Sequence, residues 1–211
     1  MTNVVLAVAA VVVVVLLVRQ GDSNRRATQG SPTIRTAQLS SSALAALHGL
    51  LPRPADGRVP VVVFVDVECP YCARYQETVA RVTAELSSVS VEFAHFPLPQ
   101  HRFARGGAVA LECAREQGRL EPMLSATYAS RDSLGLLAWS EVAARALLDT
   151  SSLVECVRSG RHDSTIERHL EVAHLLGVTG TPTVIAGTTR LSGSPSVDEI
   201  VAAVSAATPR R

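Results

Sequence analysis

The residues best suited to chemistry lie together in "VFVDVECPYCARYQ", Val63 to Gln76, where only Pro70 and Tyr71 separate Cys69 from Cys72. Two cysteines at this spacing serve three kinds of chemistry: half of a four-ligand zinc site, a static disulfide, or a thiol pair that exchanges disulfides. A zinc site calls for a second pair. The other cysteines, Cys113 and Cys156, are 43 residues apart and form no second C-x-x-C, which weighs against zinc, and no metal is expected. The six histidines make no H-x-x-x-H or H-E-x-x-H pattern, so His95 and His101, which flank "FPLPQ", read as structural or exposed rather than catalytic. No P-loop, G-x-G-x-x-G or G-x-S-x-G motif occurs, which leaves nucleotide, flavin and serine-hydrolase chemistry without support, and no cofactor is expected.

What the pair does depends on the elements that hold it. The run "VVVFV", Val61 to Val65, is β-branched and apolar at successive positions, as a strand covered on both faces requires. Behind the motif, Tyr75, Val79, Val82 and Leu86 recur at helical spacing and predict a helix from Pro70 to about Ser87. Alternation in "VSVEFAHF", Val89 to Phe96, predicts a second strand, so the three form a strand–helix–strand unit. Cys69 then falls at the strand-to-helix turn, with Pro70 at the first helical position, where a missing N–H costs nothing. Unpaired N–H groups and the helix dipole favour a thiolate there, lowering such cysteines from about 8.5 into the range of about 3.5 to 7.5. Cys69 is therefore the candidate nucleophile, and Cys72, one turn on, the candidate resolving thiol. Asp66 and Glu68 would oppose this if their charges faced the sulfur; Glu68 is expected to be solvated.

From Arg102 to Gly177 the pattern is helical, in four or five segments broken by Gly, Asp and Ser. "TPTVIAG" and "TRLSG" follow as two short strands about Gly187, then a closing helix, "SVDEIVAAVSAA". The sequence has 211 residues, 47% of them hydrophobic, enough for one substantial core. Its 20 basic residues, all arginine, nearly balance 19 acidic ones and are spread along the chain, so no nucleic-acid surface is expected. Val4 to Val18 is an unbroken apolar run of 15 residues, about 22 Å as a helix, which reads as a membrane anchor or uncleaved signal over residues 1–18. No small-x-small cleavage motif follows it, which favours retention. Arg19, Arg25 and Arg26 lie after the run with no charge before it, so the positive-inside pattern does not by itself orient the domain. Residues 19–40 are polar and read as a linker, and "SSALAALHGLL" as a short capped helix opening a domain over 41–208.

Taken together, strand, "CPYC", helix, strand, helical block, "GVTGTPT", two strands and helix resemble the DsbA-like thiol oxidoreductases of the thioredoxin superfamily. The resemblance covers roughly Pro60 to Ala207 and rests on "FVDVECPYC", "HFPLPQH", "ALECAREQGRL" and "LLGVTGTPTVIAG" in that order. It implies an α/β thioredoxin-like fold interrupted by an inserted all-helical domain at about 102–177. It also implies that Cys69 attacks, Cys72 partners it, and Thr181 and a cis Pro182 face them, with Pro70 and Tyr71 helping to receive a substrate peptide. With Cys69 and Cys72 so assigned, Cys113 and Cys156 are left to each other; some family members carry a second disulfide in the helical domain, and the alternative is two buried free thiols. Pro70-Tyr71 is the glutaredoxin dipeptide, where strongly oxidising members carry histidine between the cysteines. The expected function is a thiol-disulfide oxidoreductase of the bacterial cell envelope, anchored with its catalytic domain outside the cytoplasm, acting on unfolded or reduced exported proteins and reoxidised by a membrane redox partner. A reductase or isomerase, and a non-catalytic peptide-binding module, are the alternatives.

Overall fold

Strand β2 (Val59–Val65) explains the layering around it. Along it Val61, Val63 and Val65 belong to one buried cluster, and Val62 and Phe64 to another, so successive side chains enter cores on opposite faces of one sheet. Each fully buried valine or phenylalanine contributes about 1.5–3 kcal/mol, which is why this strand reads as an unbroken apolar run. The computed structural model describes residues 34–51 and 56–207. The expected anchor at Val4 to Val18 lies outside them, and among the described residues no helix is long and apolar enough to cross a membrane.

Among the described residues the first elements are β1 (Arg35–Gln38) and α1 (Ser41–Leu50), whose N-terminus is capped by the Ser40 hydroxyl accepting from the Ala43 N–H. After β2 come α2 (Pro70–Glu85) and β3 (Val89–His95). Five α-helices then intervene before the sheet resumes: α3 (Ala104–Glu116), α4 (Leu120–Ala129), α5 (Trp139–Arg145), α6 (Thr150–Ser159) and α7 (Asp163–Leu175). Strands β4 (Thr183–Ala186) and β5 (Thr189–Ser192) and helix α8 (Val197–Ala207) complete it. The sheet order is β1-β5-β4-β2-β3; β2 and β3 are parallel and the other neighbours antiparallel. This is a thioredoxin-like α/β fold with a mixed sheet and a helical insertion between β3 and β4.

One expectation is corrected. Residues 19–40 read as linker, yet Arg35–Gln38 form an edge strand paired with β5, from Arg35 opposite Ser192 to Gln38 opposite Thr189. An edge strand is held by main-chain hydrogen bonds, and three of these four side chains are exposed, so no apolar alternation announces it.

Strand direction then gathers the site. Because β4 runs antiparallel to β2, Thr183 lies opposite Phe64, and the residues just before β4 arrive where β2 ends. Because β3 is parallel, His95 lies opposite Val65 at that same end, and the segment after β3 passes there too. The helix-bearing end of a parallel strand pair is where open α/β sheets place their ligands.

Candidate active site

Cys69 is the N-cap of α2, in extended conformation, with Pro70 at the first helical position and no side-chain cap of its own. As a protonated thiol, its Sγ donates to the Thr181 carbonyl at 3.2 Å. The Thr181-Pro182 peptide is cis, Pro182 is buried, and Tyr71 is exposed with the Arg74 guanidinium 4.7 Å over its ring. Strand order thus brings Thr181 and Pro182, more than a hundred residues away in sequence, to Cys69.

Cys69 and Cys72 are both thiols and almost wholly buried, yet their environments push them in opposite directions. A hydrogen bond from the Cys72 thiol leads in lowering Cys69, joined by the Thr181 hydroxyl and the backbone N–H groups of Cys72 and Tyr71; together they overcome burial and bring it to about 5. Burial, then the hydrogen bond and charge of Cys69, push Cys72 well above the usual thiol range. At neutral pH Cys69 is therefore a thiolate, able to attack a disulfide, and Cys72 a protonated thiol beside it.

The two carboxylates before the motif are engaged elsewhere. Asp66, fully buried, accepts from the backbone N–H of Glu68 (2.8 Å), that of Leu98 (2.7 Å) and the His101 ring at Nδ1 (2.8 Å). Glu68, expected in solvent, is only partly exposed and accepts from the Phe103 N–H at 2.5 Å, just ahead of α3. Neither is among the groups that set the Cys69 thiol. Both tie the turn to the segment leading into the helical insertion, a role that sequence proximity to the sulfur concealed.

His95 is buried with its Nε2 2.6 Å from Glu112, which Arg115 also bonds. Burial pushes the Glu112 carboxyl up, but the hydrogen bond and charge of His95, with Arg115, outweigh it and hold Glu112 at about 2. Burial and the His95 charge lower His169 to about 3. Cys113 on α3 and Cys156 on α6 form a disulfide, with Cα atoms 5.8 Å apart. Two clusters of possible ligand atoms occur among the described residues: His95, Glu112 and His169, and Cys113, Cys156 and His162. Neither includes Cys69 or Cys72. Sequence reasoning passed over Tyr128 on α4, buried beside Cys72, because a helical tyrosine in a core position carries no signal beyond packing.

Comparisons with known proteins agree with this geometry. The family model described as thioredoxin matches residues 55–206. A thioredoxin-like oxidoreductase from Silicibacter pomeroyi has the same fold, with a TM-score of 0.65 at 22% identity, covering 84% of this chain and 93% of that one. DsbA2 of Pseudomonas aeruginosa superposes with a TM-score of 0.61 at 26% identity, covering 75% of this chain and 96% of its own. Among curated proteins, the Na(+)/H(+) antiporter NhaA 3 of Salinispora tropica is 32% identical over 155 residues, 73% of this chain. The chain spans about a quarter of the length of the curated relatives it matches. With a C-P-Y-C at the head of α2 and a fold shared with DsbA2, the chain belongs to the thioredoxin family.

Proposed function

We propose that the protein works in the oxidising direction, donating a Cys69–Cys72 disulfide to reduced proteins exported to the bacterial cell envelope, and that a membrane redox partner restores the bond. The observation that carries this reading is the opposed setting of the two thiols, Cys69 brought down to about 5 and Cys72 pushed up. Stabilising the Cys69 thiolate favours the dithiol form, so the disulfide is the reactive, oxidising state. Cys69 receives the client's sulfur and Cys72 resolves the mixed disulfide. The Thr181 backbone beside the Cys69 sulfur, flanked by Pro182, Pro70 and the exposed Tyr71, offers an extended client segment main-chain pairing with little demand on its sequence. Cys113–Cys156 acts as a structural bond within the insertion. In this reading Val4 to Val18 holds the domain at the membrane, outside the cytoplasm, across a linker that ends where β1 begins.

Thiol trapping in living cells tests the direction: Cys69 and Cys72 should be found mainly oxidised, and the isolated pair should have a potential between the roughly −230 mV of glutaredoxins and the roughly −120 mV of the strongest oxidants. A reduced pair in cells with a potential near −270 mV would make the protein a reductase. Roles are tested by trapping: Cys72→Ser should accumulate mixed disulfides with client proteins, and Cys69→Ser should form none. Equal trapping by both variants would dissolve the assignment.

A further inference from the structure

The helical insertion contributes a group to the exchange site that the thioredoxin-like part lacks. Helix α4 packs against α2, and Tyr128, 8% exposed near its end, belongs to the same buried cluster as Cys69 and Cys72. Its hydroxyl is closed to solvent and has no hydrogen-bond partner of normal geometry among the described residues. Buried hydroxyls are nearly always paired, so an orphan one calls for a partner that appears in another state of the protein. The polar groups facing it are Cys72 first, then Cys69 and Asp66, the last held by His101. Tyr75, on α2, also buries an unpaired hydroxyl, but the charge that reaches it is that of Glu199 on α8. The Thr181 hydroxyl is likewise buried without a partner of normal geometry and addresses both sulfurs from the thioredoxin-like part; of the two tyrosines, only Tyr128 addresses sulfur, and it does so from the insertion.

We propose that the Tyr128 hydroxyl donates a hydrogen bond to the Cys72 sulfur when that sulfur carries negative charge, making Tyr128 a further catalytic residue of the exchange reaction. When a thiolate attacks Sγ of Cys69 in the oxidised protein, a new S–S bond forms at Cys69 and the Cys69–Cys72 bond breaks. The electron pair of the broken bond goes to Cys72, which leaves as a thiolate and is later protonated from water. That thiolate is born in a buried place that disfavours its charge, and the O–H of Tyr128 is a donor already there with nothing else to bond. In the reverse step, attack by Cys72 on a mixed disulfide, the same bond stabilises the Cys72 thiolate before it attacks. The inference rests on the exchange reading of Cys69 and Cys72, and holds in either redox direction.

The test is Tyr128→Phe, which removes one oxygen and keeps the ring. Opening of the oxidised Cys69–Cys72 bond by reduced glutathione, followed in single turnover at pH 7, should slow at least tenfold, since hydrogen bonds to charged groups are the strong ones. Alkylation of Cys69 in the reduced variant should keep the pH midpoint of the parent. Resistance to urea should stay level or rise, because an orphaned hydroxyl costs stability, whereas a purely structural Tyr128 would lower stability and leave the rate per folded molecule alone. In Cys69→Ser protein, where Cys72 is the remaining site thiol, adding Tyr128→Phe should move the pH midpoint of Cys72 alkylation upward. An opening rate within twofold of the parent, or an unmoved Cys72 midpoint, overturns the role of Tyr128 while leaving the exchange reading intact. A parent bond that glutathione does not open overturns both.

Discussion

Lowering the pH from 7 to 5 should remove most of the stability that the Cys69 thiolate gives the reduced protein. Its thiol falls from an ordinary value near 9 to about 5 in the fold. Because the folded value is depressed, the contribution is complete above about pH 9, shrinks as the pH falls, and is lost below about 5. At pH 7 the folded thiol is ionised about a hundredfold more than the unfolded one, worth at most about 2.7 kcal/mol; at pH 5 about 0.4 kcal/mol remains. Cys72, pushed upward, is protonated in folded and unfolded chains alike across this window and drops out. Glu112 at about 2, Glu116 at about 2 and His169 at about 3 titrate whether the Cys69–Cys72 bond is open or closed, so the oxidised protein is the control that cancels them. The assay is urea unfolding of both forms at the two pH values, with Cys113–Cys156 intact. The difference in stability between reduced and oxidised protein should shrink by about 2.3 kcal/mol from pH 7 to pH 5, about 1 M in urea midpoint at ordinary slopes. A change below about 0.5 kcal/mol would refute the thiolate account of Cys69.

Two further substitutions probe the frame around the site. A Cβ on Gly107, in the first turn of α3, would stand 2.5 Å from Val67 Cγ2 and 3.1 Å from the Trp139 ring, so Gly107→Ala should displace the turn two residues before Cys69. It should cost about 1–3 kcal/mol and slow exchange; an unchanged urea midpoint would show that Val67 yields freely. Glu112→Ala removes the carboxylate that bonds both His95 and Arg115 inside the core, and should cost about 3–5 kcal/mol in urea unfolding while the exchange rate per folded molecule holds. A loss under 1 kcal/mol would mean that water replaces the carboxylate.

What could be read from the sequence is what local chemistry dictates. Val61 to Val65 announced a doubly covered strand because both its faces lie in cores, and Cys69-Pro70 announced a helix start because proline suits that position alone within a helix. The cis bond before Pro182 came only through family resemblance, and the bond between Cys113 and Cys156 from the pair left over once Cys69 and Cys72 were assigned, with the resemblance in support; neither follows from spacing. Arg35–Gln38 escaped because main-chain pairing at a sheet edge asks little of side chains. The ties of Asp66 escaped because two of its partners, Leu98 and His101, lie more than thirty residues ahead and meet it only after β3 has been laid beside β2. Tyr128 escaped for a related reason: periodicity reports that a ring is buried, not what its oxygen faces.

The bond between Cys113 and Cys156 has a consequence for how the protein comes into being. Each residue is 1% exposed once α3 and α6 have packed, and the bond between them joins positions 43 residues apart across the insertion. Making this link takes two electrons from two thiols, and so needs an oxidant that accepts them. Every newly made copy thus consumes an oxidant in its own making, and the first copies in any compartment depend on a disulfide source other than themselves.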